Sequence, residues 1–170
     1  MRSKVLTLTR CAALVMLVVG LGTAGCRQAS GPVPQPDANK QGDIDDVGKD
    51  LMNVVHRADN GAQELQGDLV KFADTPAGEA AARELSQRLS AAIAASKLTE
   101  AQAGEIAQKL YVVIVGRQLS TRQGKALRTD IEALLKNGGV AESAIAPVGE
   151  QIMATQAAVT TVQKRWYELF

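Results

Sequence analysis

Apolar residues recur three or four positions apart through most of the stretch from Asp43 to Phe170. This spacing places them along one side of an α-helix, whereas a half-buried strand would show alternation at every second residue. Several such apolar stripes follow one another, separated by glycine, proline or helix-capping residues. The sequence therefore predicts an all-α fold in which residues 43–170 form a single bundle of four to five helices.

The first stripe predicts one long helix from Asp43 to Phe72, about 45 Å in length at 1.5 Å per residue. A second helix is predicted to begin at Thr75 and Pro76 and to end near Ser96, because threonine can cap a helix and proline suits the first helical position. The apolar positions of the first stripe are Ile44, Val47, Leu51, Val54, Ala58, Ala62, Leu65, Leu69 and Phe72.

The pattern Leu-[Ser/Thr]-x-x-Gln occurs at residues 98–102 and again at residues 119–123. It predicts a capping box at the start of two further helices, in which the hydroxyl and the glutamine side chain each accept a backbone N–H from the other residue. We expect the two leucines, Leu98 and Leu119, to enter the core. The pattern also resembles a short motif of the Spy and CpxP periplasmic stress proteins, which are all-helical and bind unfolded or signalling partners. That resemblance implies a chaperone-like or stress-sensing role as an alternative function.

The last predicted helix follows residues 137–139, Asn-Gly-Gly, which should end the fourth helix. Pro147 marks its expected start, because the residue before a proline avoids helical geometry. Its apolar stripe has the a/d spacing of a heptad pattern, and we interpret it as closing the bundle rather than forming a coiled coil with another chain. The stripe consists of Ile145, Val148, Ile152, Thr155, Val159, Val162, Trp166 and Leu169.

Three of the five aromatic residues lie in the last five positions: Trp166, Tyr167 and Phe170. One interpretation is that Trp166 and Leu169 cover the end of the bundle. The alternative is that Phe170 and its carboxylate are recognised by a partner domain that binds chain termini. The three aromatic residues are therefore the candidate partner-binding residues.

Side chains suited to catalysis or metal binding are few. His56 is the only histidine, and it lies off the apolar stripe. With Asp59 and Glu64 it would form an incomplete metal site, so we expect an exposed surface histidine. No histidine-based nucleophile triad, phosphate loop or dinucleotide fingerprint is present. The sequence predicts no enzymatic activity, no cofactor, no metal site and no small-molecule substrate.

The first 25 residues have the order of a secretory signal. Arg2, Lys4 and Arg10 precede an apolar run over residues 11–21, and small residues follow that run. The run is eleven residues long, whereas a helix that crosses a membrane needs roughly 20 apolar residues. We therefore predict a removable export signal over residues 1–25.

Residues 23–26, Thr-Ala-Gly-Cys, resemble the lipobox of bacterial lipoproteins, although leucine is more usual at the position of Thr23. The resemblance implies that Cys26 becomes the first mature residue, carries lipid on its sulfur and its amine, and anchors the protein in a membrane, facing the periplasm. Arg27 rather than an aspartate follows, and the sorting rule of enteric lipoproteins then favours the outer membrane. Residues 26–42 contain three prolines and no apolar periodicity, so they are predicted to be a flexible tether.

The charge of the mature chain limits its partners. Loss of the export signal removes three of the nineteen basic residues and none of the eighteen acidic ones, which leaves a net charge of about −2. Such a chain is a poor nucleic-acid binder. Acidic residues concentrate in 37–79 and basic residues in 117–136, and the two regions could attract each other within the fold. We expect a non-enzymatic interaction or scaffold module whose partners are membrane lipid, through Cys26, and an envelope protein.

Overall fold

The computed structural model describes Pro34, Pro36, residues 38–116 and residues 119–167, with the backbone alone for residues 161–167. This part of the chain contains six α-helices and no strand, which confirms the all-α fold. The helices are α1 (Gln41–Val55), α2 (Gly61–Lys71), α3 (Pro76–Ile93), α4 (Glu100–Val115), α5 (Thr121–Asn137) and α6 (Glu142–Tyr167). No helix among the described residues is both long enough and apolar enough to cross a membrane.

The six helices form a ring around one core, in which each helix packs against two neighbours. Helix α1 packs against α2, α2 against α3, α3 against α6, α6 against α5, α5 against α4, and α4 against α1. Helix α4 contributes Ile106, Leu110 and Val113, which are fully buried. The ring of Phe72, after α2, meets the ring of Tyr111 on α4 edge to face, with 5.0 Å between the ring centres. All six helices contribute apolar side chains to this hydrophobic cluster.

The single helix predicted over residues 43–72 is wrong, because the chain breaks at residues 56–60 and forms two helices, α1 and α2. This break raises the number of helices to six, above the expected four to five. It also changes which side chains are buried. Ala58 and Ala62, which a continuous stripe would place in the core, are exposed.

A Schellman motif ends α1. Arg57 has a positive φ of 57°, its backbone N–H donates to the carbonyl of Val54, and the N–H of Ala58 donates to the carbonyl of Asn53. Helix α2 then begins very close to α1, since a β-carbon on Gly61 would lie 2.8 Å from the backbone carbon of Asn53. Glycine at this position allows the two helices to pack directly after the turn.

Two predicted helix boundaries are confirmed. The Thr75 side chain accepts the backbone N–H of Gly78 at 3.1 Å, which caps α3. Helix α5 ends at Asn137, and Gly139 has a φ of 78°. The bonds from Gly139 to the Lys136 carbonyl and from Val140 to the Leu135 carbonyl form a second Schellman motif.

The predicted start of the last helix is wrong. Helix α6 begins at Glu142, and Pro147 is its sixth residue. A residue at this position would normally donate to the carbonyl of Ser143, an exposed residue of the first turn that water can reach. The a/d stripe is buried from Ile145 to Val159. Its remaining side chains lie outside the described residues.

Helical structure starts slightly earlier than the predicted domain boundary at Asp43. A single 3₁₀ turn at Ala38–Lys40 leads directly into α1. Pro34 and Pro36 line a depression formed with Val112 of α4 and Leu127 of α5. The predicted export signal and the predicted lipid-bearing Cys26 lie outside the described residues.

Candidate functional site

An acidic groove of about 650 Å³ lies between α1 and α2. Its charged lining comprises four carboxylates and two lysines: Asp46, Asp50, Glu64, Asp68, Lys49 and Lys71. The carboxylates occur as i, i+4 pairs, one pair on each helix, so each pair lies on one side of its helix. The turn at residues 56–60 brings the two pairs opposite each other across the acidic groove.

Asp50 is the most unusual residue in the acidic groove. Its side chain lies beside the buried stripe of α1, only 8% of the residue is exposed, and its Oδ2 atom has no hydrogen-bond partner among the described residues. Burial raises the pKa of Asp50 to about 6. The charge of Asp68, a hydrogen bond to Asp68 that only protonated Asp50 can donate, and the charges of Glu64 and Asp46 raise this pKa further. Both lysines of the groove interact electrostatically with Asp50, although neither forms its ion pair with that residue.

The two lysines pair with the outer carboxylates rather than with Asp50. Lys49 Nζ lies 2.8 Å from Asp46 Oδ1, and this hydrogen bond lowers the pKa of Asp46. Lys71 hydrogen-bonds Asp68, which raises the pKa of Lys71. Both lysines and Asp46 are largely exposed, whereas Asp68 is partly buried. Ion pairs with such exposed lysines contribute little to stability. They leave the acidic groove with an excess of negative charge.

Across the acidic groove, the Asn53 side-chain amide donates to Glu64 Oε2 at 3.3 Å. Carboxylate and amide oxygens accept hydrogen bonds, so the lining is suited to a positively charged group with several N–H donors. Among the described residues, no group of three or more His, Cys, Asp or Glu side chains is arranged to hold a metal ion.

A second depression, of about 580 Å³, lies between α1 and α4. The two helices approach closely there, since a β-carbon on Gly48 would lie 3.6 Å from the Cα of Gly104. His56 lines this depression with Glu100 and is exposed, as expected. The structure places Glu64 in the acidic groove instead, so His56 and Glu64 line separate depressions.

The other predicted site residues have no described side chains. Cys26 and Phe170 lie outside the described residues, and Trp166 and Tyr167 are described only as part of the α6 backbone.

Both copies of the repeated motif form the predicted capping boxes. The backbone N–H of Gln102 donates to Thr99 Oγ1 at 3.3 Å, and the N–H of Thr99 donates to Gln102 Oε1 at 2.9 Å. The corresponding distances at Ser120 and Gln123 are 3.2 Å and 2.9 Å. The leucine of each copy is buried, with 4% and 5% of its surface exposed. The motif therefore has a local structural role at both helix starts.

Among the described residues, the acidic helices α1 and α2 do not pair with the basic helix α5. In the described part of the chain, no ion pair joins α1 or α2 to α5. Lys109 of α4 instead pairs with Asp130 of α5 at 3.0 Å. Arg122 and Lys125 of α5 are exposed. The acidic groove and the basic side chains of α5 thus face solvent on different elements.

The acidic groove was not predicted from the sequence. The apolar stripe over residues 43–72 predicts a single helix, on which residues near the two ends do not meet. A turn signal was present in the dipeptide Asn60-Gly61. Together with the acidic character of residues 37–79, it would have predicted two acidic helices packed side by side.

Comparisons of the chain with protein-family models, with curated proteins and with solved structures give no match.

Proposed function

We propose that the chain is a lipid-anchored lipoprotein that faces the periplasm, and that its helical bundle is a non-enzymatic interaction or scaffold module of the cell envelope. The observation that carries this proposal is the sequence Thr-Ala-Gly-Cys at residues 23–26, directly after a basic segment and an apolar run. Cys26 is the proposed lipid attachment site. Arg27 favours residence in the outer membrane over the inner membrane.

The distance between the anchor and the bundle supports this arrangement. Pro34 already lies at the surface formed by α4 and α5, so roughly eight residues separate the bundle from Cys26, enough to reach about 27 Å when extended. This length suffices to hold the bundle clear of the lipid head groups while the anchor stays inserted.

The charge distribution supports a docking role. The acidic groove of α1 and α2 and the exposed bases of α5 present opposite charges on separate elements. Such separation orients a charged partner and accelerates its encounter. An envelope protein with a basic segment is the proposed partner of the acidic side.

The anchor is tested by comparing Cys26→Ser with Cys11→Ser. Both variants remove one thiol, but Cys11 lies within the proposed export signal. We expect Cys26→Ser to abolish incorporation of labelled palmitate and to leave an uncleaved precursor or a soluble form, while Cys11→Ser is processed normally. Unchanged labelling and membrane attachment in Cys26→Ser would refute the proposal. Sucrose-gradient fractionation tests the membrane, since recovery with the inner membrane would contradict outer-membrane residence.

The chaperone-like alternative rests on the resemblance of the repeated motif to the Spy and CpxP proteins. Its test is suppression of the aggregation of an unfolded client by near-stoichiometric amounts of the protein. Suppression would favour the alternative. Crosslinking in the native envelope to a defined folded partner, without suppression, would favour the interaction module.

A further inference from the structure

We propose that the outward side of α5 lies against the membrane that holds the lipid anchor, with its unpaired bases on anionic phospholipid head groups. This inference rests on the proposed function, since it needs the anchor at Cys26. It adds which side of the bundle faces the lipid, and it leaves the acidic groove on the side that faces away from the membrane.

The outward side of α5 carries bases and small uncharged side chains. We call its exposed residues, which recur three or four positions apart, the basic face: Arg122, Lys125, Ala126, Thr129, Ala133 and Lys136. The two carboxylates of α5 lie at the edges of this face and are paired there. Asp130 bonds Lys109 of α4 at 3.0 Å, and Glu132 bonds Arg128 next to α6. The basic face itself contains no acidic residue.

Two bases of this face have no ion pair within the protein. Arg122 and Lys125 form none among the described residues, whereas Lys136 pairs with Glu142 at 3.3 Å. Arg122 lies in the first turn of α5, where a positive charge opposes the helix dipole. Its charge therefore does not stabilise the helix that carries it, and it is free to interact with a partner outside the chain.

The charges of the six helices give the bundle two electrostatically different sides. Helix α5 has four bases and two acids, a net charge of +2, and no other helix is net positive. In the ring of helices α5 lies opposite α2, since two helices separate them in either direction. Helix α2 forms one wall of the acidic groove. An anionic surface therefore attracts one side of the bundle and repels the opposite side.

The chain from the anchor meets the bundle on the basic side. Pro34 and Pro36 line the depression between α4 and α5, and roughly eight residues lead from Cys26 to Pro34. If α2 faced the membrane, these residues would have to span at least two helix diameters, about 20 to 24 Å. That distance is most of their extended reach of about 27 Å. With α5 toward the membrane, little of this reach is needed.

A weak attraction is sufficient because the anchor already keeps the bundle near the membrane. The basic face then needs only to bias the orientation of the bundle and does not have to supply the affinity. One Lys or Arg close to an anionic leaflet favours contact by about fivefold, so two favour it by roughly 30-fold. The tether is long enough for the bundle to leave neutral head groups, so contact should depend on anionic lipid.

Energy transfer from a labelled bundle to acceptors on lipid head groups tests the proposal. The lipidated full-length mature protein is inserted into vesicles of phosphatidylcholine alone or with about one third phosphatidylglycerol. Ala126→Cys places a fluorophore in the basic face, and Ala62→Cys is the matched control on an exposed position of α2. In the proposed mature chain Cys11 is removed and Cys26 is lipidated, so the introduced thiol is the only one.

We expect anionic lipid to raise the transfer from the label at Ala126→Cys about twofold or more, without a rise at Ala62→Cys. High salt should remove this rise, because it screens the charges.

Removal of the two unpaired bases identifies their role. Arg122→Gln with Lys125→Gln, combined with Ala126→Cys, should return the transfer to its level on neutral vesicles. Arg57→Gln with Lys97→Gln is the control, because it removes the same number of charges from exposed residues outside α5. It should retain the rise. Unfolding curves of both double variants establish that the measurements are made on folded protein.

The outcomes separate this inference from the proposed function. Equal transfer from the two labels on anionic vesicles, or a rise that survives the loss of Arg122 and Lys125, would overturn the inference. If mass measurement of the same protein shows lipid on Cys26, the proposed anchor would stand in that case. A mature protein without lipid would overturn the anchor and the inference together. Photo-crosslinks from residue 126 to an acidic envelope protein rather than to lipid would overturn the inference and make the basic face a protein-binding surface.

Discussion

The side-chain amide of Gln156 on α6 occupies the space that a β-carbon on Gly124 of α5 would need. Gln156 is buried, and its Nε2 donates to the carbonyls of Leu119 and Ser120 at 3.3 Å each. Ser120 is also the cap residue of α5. The glycine therefore gives a glutamine of one helix access to the backbone at the start of another.

Gly124→Ala is predicted to lower the free energy of unfolding by about 1 to 3 kcal/mol, because Gln156 must move and lose both hydrogen bonds. Urea denaturation measures the change. Gly104→Ala in α4 is the control, since a β-carbon there meets nothing within 4 Å. It should stabilise the protein by about 0.5 to 1 kcal/mol through helix propensity. Equal stabilisation by both changes would show that the contact between Gly124 and Gln156 imposes no constraint.

Thr99→Ala and Ser120→Ala are each predicted to lower the free energy of unfolding by about 1 kcal/mol, because each removes the acceptor for a backbone N–H at a helix start. Equilibrium denaturation tests this. Thr129→Ala is the control, since Thr129 is exposed inside α5 and its hydroxyl bonds the Lys125 carbonyl of the same helix. We expect no loss of stability there. If Thr99→Ala lost partner binding while retaining full stability, the repeated motif would be a recognition element.

The ends of α1 and α5 show how far the sequence predicts the fold. Both helices end in a Schellman motif, with a positive φ at Arg57 in one and at Gly139 in the other. Glycine is the usual residue at this position, so the end of α5 was predictable from its sequence. Arginine carries no such signal. The end of α1 was therefore missed, although the local apolar spacing still predicted buried residues such as Leu51 and Leu69.

The acidic groove could not be predicted because it depends on the turn at Arg57. On a continuous helix, Asp50 and Asp68 would be separated by eighteen residues, about 27 Å along the axis. The turn instead places them across one groove, where the charge and hydrogen bonding of Asp68 contribute to the raised pKa of Asp50. The apolar periodicity of a sequence predicts which side of a helix is buried. To predict which polar residues lie close together in the fold, one must also predict where the helix ends.

Asp50→Asn is predicted to stabilise the protein at pH 7 and to have little effect at pH 4. The pKa of Asp50 is about 6 in the folded protein, above the ordinary value near 4 of an unfolded chain. The folded protein therefore binds this proton more tightly. Protonation of Asp50 therefore stabilises the folded protein. This stabilisation is fully present below about pH 4 and is lost as the pH rises through about 6.

Solvent in the open groove screens the neighbouring carboxylates, so we expect a gain of about 1 to 2 kcal/mol at pH 7 in Asp50→Asn. Urea denaturation of both proteins from pH 4 to pH 8 measures the difference. Asp45→Asn removes an exposed carboxylate from the same helix and should show no such pH-dependent gain. We expect the free energy of unfolding of the wild type to fall relative to that of Asp50→Asn between pH 4 and pH 7. If it did not fall, the raised pKa of Asp50 would be contradicted.

Arg57→Gly is predicted to stabilise the protein by about 0.5 to 1 kcal/mol, because a side chain in the left-handed region costs about 1 to 2 kcal/mol and glycine avoids that cost. The gain is partly offset, since Arg57 Nε donates to the Ala94 carbonyl at 3.3 Å in an exposed hydrogen bond. Arg57→Ala removes the same hydrogen bond and keeps the β-carbon, so it should be slightly destabilising. Comparing the two variants by chemical denaturation separates the backbone effect from the hydrogen bond.

Gly139 occupies the equivalent position at the end of α5, with a φ of 78°. A β-carbon at this position would have no other atom within 4 Å. Gly139→Ala should therefore destabilise the protein by about 1 kcal/mol through backbone conformation alone. We expect Arg57→Gly to raise the free energy of unfolding and Gly139→Ala to lower it, because one substitution adds a glycine at the positive-φ position of a Schellman motif and the other removes one. If Arg57→Gly were no more stable than Arg57→Ala, the positive φ at Arg57 would carry no cost, and the end of α1 would have to be attributed to the packing of Gly61 against Asn53 instead.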